Sequence, residues 1–386
     1  MIPYGRQEIT QDDIDAVIDA LKSDYLTQGP QVPLFEKELA EYCNASHAVA
    51  VNSATSALHI ACLAIGIGHG DLVWTSPITF VASANCVRYC GADVDFVDIN
   101  PITYNLSIDA LAAKLKKAQS QNRIPKAIIA VHLCGQSCNM AAIHNLSKEY
   151  GFRIIEDASH GVGGRYKSQP IGSCQYSDIT VFSFHPVKII TTAEGGMALT
   201  NKPHLASKMQ LLRSHGITRD ESRMTEPSHG SWYYQQLVLG FNFRMTDIQA
   251  ALGRSQLKRL DHFVASRNQL SNQYDQLLRD LPVIVPQQEP ECLSARHLYV
   301  IRMKTSENQK TRRQVFDELQ GEGIGVNVHY IPVHTQPYYR NLGFNTGDFP
   351  EAERYYNESI SIPLYHHMNH EQQNMVSIAL HKVFKK

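Results

Sequence analysis

Neither sign of charge dominates this chain of 386 residues: 36 Lys and Arg stand against 37 Asp and Glu, a formal net charge of -1. A broad positive field able to gather nucleic acid or an anionic membrane surface is therefore excluded, and an anionic ligand has to be met by a local site. Long apolar runs are missing as well. No stretch approaches the roughly 20 apolar residues that cross a bilayer, and the opening Met1-Ile2-Pro3-Tyr4-Gly5-Arg6 lacks the apolar core of a signal peptide, so a cytoplasmic address is expected. Cysteine is sparse: eight scattered residues are too few for a disulfide framework in a chain this long. The pairs Cys86/Cys90 and Cys134/Cys138 are each separated by three residues, with His132 near the second, whereas a zinc knuckle usually has two. Buried, reduced thiols are expected, and no metal.

What is present is core-forming material, 43% hydrophobic against 19% charged residues, the composition of a globular chain. Thr10-Gln-Asp-Asp13, followed by Ile14, Val17, Ile18 and Leu21, predicts a capped amphipathic helix running into the turn-rich stretch from Ser23 to Pro33. A second helix is predicted over 34–42. Strands then alternate with helices: strands over 47–52, 72–76, 94–97, 127–132, 153–156, 179–183 and 196–200, with helices over 56–64, 81–89, 108–118 and 140–150 among them. That alternation predicts a three-layer α/β unit with a mainly parallel sheet. The segment from Ile217 to Gly240 is longer than an ordinary loop and reads as a functional or interface element. Helices over 246–260 and 264–281 follow. After Pro282 come a strand over 297–303, a helix over 312–322, a strand over 325–330, a short strand over 359–363 and a last helix. The expected organisation is an N-terminal arm with helices over 1–45, a large α/β domain over 46–245, and connecting helices with a small α+β domain over 246–386.

Two residues carry the first hint of chemistry. Arg153-Ile-Ile-Glu-Asp157 delivers an acid at a strand's C-terminal end, where open α/β sheets place their ligands. Lys188 follows the strand ending Phe182-Ser-Phe-His185 and precedes Thr191-Thr-Ala-Glu-Gly-Gly196, a place where an amine can be held out of water. Such a pair suits pyridoxal phosphate, the lysine forming a Schiff base and the acid keeping the pyridine nitrogen protonated; a surface lysine and a helix-capping aspartate fit the same two residues. Asn52-Ser53-Ala54-Thr55-Ser56-Ala57 joins a strand to a helix, and a helix N-terminus binds phosphate without basic side chains. Phe80, closing the turn Ser76-Pro-Ile-Thr-Phe80, is placed either to cover a flat heterocycle or to fill core.

In order along the chain, Leu26-Thr-Gln-Gly29, Phe35-Glu36, the Asn52 motif, Thr79-Phe80-Val-Ala82, Glu156-Asp-Ala-Ser-His160, Phe182-Ser-Phe-His185, Lys188, Ala193-Glu-Gly-Gly196, Arg213-Ser-His-Gly216 and Gly240-Phe-Asn-Phe-Arg244 resemble the DegT/StrS sugar-nucleotide aminotransferases over nearly the whole length. The resemblance implies the fold-type I architecture of pyridoxal 5'-phosphate enzymes, with Lys188 carrying the Schiff base and moving the proton, and Asp157 on the pyridine nitrogen. It further implies that Phe80 stacks on the ring, that His160 lies near the phenolic oxygen, and that Ala54, Thr55, Ser56 and Ser183 surround the phosphate. Asn242 would reach the phosphate of a neighbouring subunit, making a homodimer with composite sites. Substrate contacts are implied for Tyr4, for Asp24, Tyr25, Leu26 and Thr27, and for Asn327, Val328, His329 and Tyr330. Arg213 and Arg244 would meet a pyrophosphate or carboxylate, or serve as helix-end charges.

Within the family, the Asn52 motif, Ile189-to-Gly196 and Arg296-His-Leu-Tyr299 are most similar to the branch serving pseudaminic acid, a sugar of flagellin and surface polysaccharide. That branch implies a ping-pong C4 amination. L-glutamate leaves as 2-oxoglutarate, pyridoxamine phosphate holds the amino group, and UDP-2-acetamido-2,6-dideoxy-β-L-arabino-hex-4-ulose receives it. Perosamine-, bacillosamine- and aminoarabinose-type aminotransferases share the same core motifs. Related sugar dehydratases carry His in place of the lysine, and Lys188 argues against them. A sugar-nucleotide sensor without activity would have lost Lys188 or Asp157.

Overall fold

The computed structural model describes residues 1–304 and 310–384. At its centre lies a sheet of seven strands: β1 (His47–Val51), β2 (Leu72–Thr75), β3 (Asp93–Phe96), β4 (Ala127–Val131), β5 (Arg153–Asp157), β6 (Ile179–Ser183) and β7 (Gly196–Thr200), in the order β1-β7-β6-β5-β4-β2-β3. The neighbours from β3 to β6 pair in parallel. Strand β7 alone is reversed, antiparallel to both β1 and β6. The cause is local: parallel neighbours need a crossover, usually a helix, and the chain between Ser183 and Gly196 turns back without one. Lys188 sits in that return loop.

Helices α1 (Gln11–Lys22) and α2 (Gln31–Cys43) precede the sheet; α3 (Ala54–Ala64), α4 (Ala82–Tyr89), α5 (Ile108–Ser120) and α6 (Met140–Tyr150) connect its strands; and α7 (Pro203–Arg213) follows it. Strands β4, β6 and β7 are buried at every position, as expected of a sheet covered on both faces. The pleat divides them between cores: Val73, Ile129, Ile155 and Val181 enter one, whereas Trp74, Ile128, Ala130 and Ile154 enter another. This is the three-layer α/β arrangement expected from the alternation of strands and helices.

Helices α8 (Asp247–Leu257) and α9 (Leu260–Leu277) lead to a smaller antiparallel sheet of β8 (Val283–Ile284), β9 (Tyr299–Met303) and β10 (Ser359–Ile362). Tyr299, Ile301, Ile360 and Ile362 pack there with Val315, Leu319 and Leu380, and Ile2 joins them from the other end of the chain.

Residues 325–330 are not the expected strand. Isolated bridges Ile2↔Ile324 and Asn327↔Ser361 replace it. Ile2 donates to Gly323 O and accepts from Gly325 N at 2.8 and 2.7 Å, so the segment is divided between the N-terminal chain and β10 and holds no continuous ladder. A small sheet of Arg165–Tyr166, Gln169–Pro170 and Cys292–Leu293 was also not expected; its two-residue strands are too short to show a period. No helix among the described residues is long and apolar enough to cross a membrane.

Candidate active site

The C-terminal ends of β5 and β6, the start of α3 and the Lys188 loop enclose a cavity of about 420 Å³. Helix α3 begins at Ala54 because Ser53 is its N-cap, its hydroxyl accepting from Ser56 N at 3.1 Å. The amides of the first turn have no partner within the helix, and Ala54 and Thr55 line the cavity. Gly196 permits this arrangement, since a Cβ there would lie 2.6 Å from both Ala54 N and Ser53 C.

Opposite this helix end stand Asp157, Ser183 and Lys188. The Lys188 amine makes no hydrogen bond or ion pair with the described residues. Part of the side chain faces the cavity, yet burial lowers its pKa to about 8, with Asp157 pulling the other way. Asp157 is buried and held by hydroxyls, Ser83 Oγ donating to Oδ2 and Ser159 Oγ to Oδ1, each at 2.6 Å. Phe80 is 59% exposed and lines the cavity, so it is not core.

The remaining wall is imidazole and phenol. His160 and His297 have ring centroids 4.4 Å apart, and Tyr330 OH lies 3.1 Å from His160 Nε2. Burial, reinforced by the Lys188 charge, holds His160 and His297 well below the usual histidine value. The same causes bring His329 to about 4. The three rings are therefore neutral near pH 7. Burial raises the Tyr330 phenol, which keeps its proton. The Nδ1 atoms of both His160 and His297 are buried without a partner, and buried polar atoms are ordinarily satisfied.

The structure thus gathers Tyr4, Ala54, Thr55, Phe80, Asp157, His160, Ser183, Lys188, His329 and Tyr330 around one cavity. Other expected site residues lie outside its lining. Ser56 turns its hydroxyl back to Asn52 Oδ1 at 2.7 Å. Asp24, Tyr25, Leu26 and Thr27 are exposed and anchored at α8, where Asp247 N donates to Leu26 O. Asn327 bridges to Ser361 of β10, and its Oδ1 accepts from Val328 N at 2.8 Å. Asn242 is exposed and bridged to Ser214. Arg213 donates to Glu36 Oε1 and Ala50 O at 2.5 and 2.7 Å.

Sequence reasoning missed Ser83, Ser159 and His297 as site residues. Ser159 had a signal, because a serine two residues after an aspartate can bond back to it. Ser83 had none, lying 74 residues from its partner. A larger open groove of about 800 Å³ beside β3 is lined by Trp74, Asp95, Lys114 and Phe349; Lys114 there already pairs with Asp95 at 2.7 Å.

A partly desolvated lysine, a clamped carboxylate and a helix N-terminus around one cavity fit a pyridoxal phosphate site, and the family match and solved neighbours make the class a fold-type I aminotransferase. The chain belongs to the DegT/DnrJ/EryC1/StrS aminotransferase family, which its residues 7–381 match, and it is a sugar aminotransferase. It is 39% identical to the spore coat polysaccharide biosynthesis protein SpsC of Bacillus subtilis, over 100% of this chain and 97% of that one. Identity is 38% to the UDP-4-amino-4,6-dideoxy-N-acetyl-β-L-altrosamine transaminase of Campylobacter jejuni, over 100% and 98%, and 37% to the GDP-perosamine synthase of Caulobacter vibrioides, over 96% and 94%. Among solved structures, Helicobacter pylori PseC, an aminotransferase involved in pseudaminic acid biosynthesis, superposes with a TM-score of 0.90 at 32% identity, covering 99% of each chain. The PMP-form of a putative sugar aminotransferase, Spr1654 of Streptococcus pneumoniae, gives 0.89 at 30%, also over 99% of each.

Proposed function

We propose that the protein transfers the amino group of L-glutamate to C4 of UDP-2-acetamido-2,6-dideoxy-β-L-arabino-hex-4-ulose, on the route to pseudaminic acid. The products are 2-oxoglutarate and UDP-4-amino-4,6-dideoxy-N-acetyl-β-L-altrosamine. The observation that carries the chemistry is the Lys188 amine, unpaired among the described residues, sharing a cavity with the clamped Asp157 and the start of α3. The sugar is supported by the full-length likeness to the altrosamine transaminase and PseC.

Pyridoxal phosphate, when bound, supplies a conjugated sink for the electrons released as a proton leaves carbon. The residues present fit it. The first-turn amides of α3, with Ala54, Thr55 and Ser183, offer donors to a phosphate. Asp157 faces the cavity as an acceptor for a ring nitrogen, Phe80 covers a ring from the rim, and the orphaned Nδ1 of His160 is a free polar atom for the phenolic oxygen. Lys188 would hold the cofactor covalently. Released, with a pKa lowered to about 8, its amine would take the proton from the donor's Cα in the first half-reaction and deliver one to the sugar's C4 in the second. Tyr4, His329 and Tyr330 line the cavity wall and would meet the substrate there. The neutral histidines add no positive charge beside that amine.

The working form in this reading is a homodimer. Exposed Asn242, with Trp232 and Leu239 exposed at 74% and 81%, supplies a face for a second copy, and Asn242 completes the neighbouring phosphate site. The Asp24–Thr27 turn joins the substrate contacts in that assembly.

Two nucleotide 4-keto sugars distinguish the branches. Protein converted by L-glutamate and freed of excess donor is offered the L-arabino and the D-xylo UDP-4-keto sugar in turn. Return of the cofactor's visible band with the L-arabino sugar alone supports the assignment. Return with the D-xylo sugar moves the protein to the bacillosamine-type branch.

A further inference from the structure

The Asp157 carboxylate receives three hydrogen bonds from the protein itself. Ser159 donates twice to Oδ1, through its hydroxyl at 2.6 Å and its amide at 3.1 Å. Ser83 Oγ lies 2.6 Å from Oδ2, and Thr79 Oγ1 lies 2.6 Å from Ser83 Oγ. An ionised carboxylate only accepts, and a hydroxyl has one proton to give. The Ser83 proton therefore points at Asp157; the Phe80 carbonyl, at 3.4 Å, is its weaker competitor. With that proton used, Ser83 oxygen accepts from Thr79. The chain Thr79→Ser83→Asp157 thus has one direction, each bond polarising the next. Thr79 and Ser83 are 2% and 0% exposed, so bulk water does not substitute for either hydroxyl.

A carboxylate offers about four acceptor positions. Ser159 fills both on Oδ1 and Ser83 one on Oδ2, which leaves a single position on an atom of a cavity-lining residue. We infer that Thr79, Ser83 and Ser159 are positioning residues that leave Asp157 one open acceptor, on Oδ2, for a single N–H donor, the protonated ring nitrogen of the cofactor. This rests on the function proposed above. Removing a donor makes the carboxylate more basic, draws the shared proton away from the ring nitrogen and weakens the positive charge on the ring. The Lys188 nitrogen joined to the cofactor then keeps its proton to higher pH.

The test loads wild type, Ser83→Ala, Ser159→Ala, Thr79→Val and Ser83→Thr with pyridoxal 5'-phosphate alone and titrates the visible band against pH. The single-turnover reaction with L-glutamate follows. Ser83→Ala is expected to raise the midpoint by about half a unit or more and slow the half-reaction about ten- to hundredfold, with glutamate affinity unchanged. Thr79→Val moves both readouts the same way by less, and Ser83→Thr restores them. Ser159→Ala carries the test should the Ser83 variants not fold. Unchanged midpoints, with rates within about twofold of wild type, in the folded variants among Ser83→Ala, Ser159→Ala and Thr79→Val would overturn the inference. Wild type that takes up cofactor but is not bleached by L-glutamate removes the transamination reading and leaves the clamp to stand or fall on the titration. Wild type that takes up none overturns both.

Discussion

Glu156 and Asp157 are consecutive on β5, and the pleat sends their side chains to opposite faces of the sheet. Glu156 meets His132 Nε2 at 2.7 Å and accepts from Ser177 and Thr180 hydroxyls at 2.5 and 2.8 Å. Burial opposes its charge, but these partners hold its pKa below the usual glutamate value. Among the described residues, Asp157 has hydroxyl and amide partners only, and shares its cavity with an amine that has none. One carboxylate is closed by its neighbours and holds strands and loops together. The other is oriented but incompletely satisfied, and incomplete satisfaction beside a cavity is what a ligand can complete.

The largest effect belongs to the open side. Lys188→Ala should lower turnover by at least about a thousandfold and leave cofactor that borohydride no longer fixes to the chain; a persisting fixed adduct would show another lysine in the role. Asp157→Asn should keep the fold, by circular dichroism, while the glutamate half-reaction slows about a hundredfold. Near-normal turnover would place the two carboxylates on the same footing.

On the closed side the expected loss is stability. Glu156→Ala should cost about 3–5 kcal/mol in urea unfolding, the range for breaking a buried pair, without displacing the cofactor's visible band. Because the folded pKa of Glu156 is depressed, its contribution is present above the ordinary glutamate value of 4.5 and disappears as pH falls through the folded value. Wild type should therefore lose more stability on acidification than Glu156→Gln; equal losses would remove Glu156 from the acid response.

The smallest expected change concerns the rate of cofactor uptake by apoprotein. Only a neutral amine attacks an aldehyde, so uptake should rise with pH and level off above about 8, where Lys188 is deprotonated. A plateau two units higher, followed by absorbance, would mean that burial does not tune Lys188. Composite sites have their own check: Lys188→Ala mixed with Asn242→Ala should recover about a quarter of wild-type activity from random dimers, and no recovery would confine each site to one chain.

Local chemistry made much of this legible. The apolar strand runs, Ser53 at the start of α3, Asp157 at the end of its strand and Lys188 just past another are written in short stretches of sequence. Contacts between distant segments were not. Ser83 reaches Asp157 across 74 residues, and Arg213 reaches Glu36 across 177, so neither the clamp nor the engagement of Arg213 had a local sign. Residues 325–330 have the composition of a strand, but Ile2 competes for their ladder.

The most direct measurement is the visible spectrum of the cofactor-loaded protein before and after L-glutamate. Bleaching of the band, with one equivalent of 2-oxoglutarate released per chain, is the result expected of an amine-releasing Lys188 beside Asp157. An unchanged band in protein whose cofactor borohydride fixes to Lys188 would contradict it.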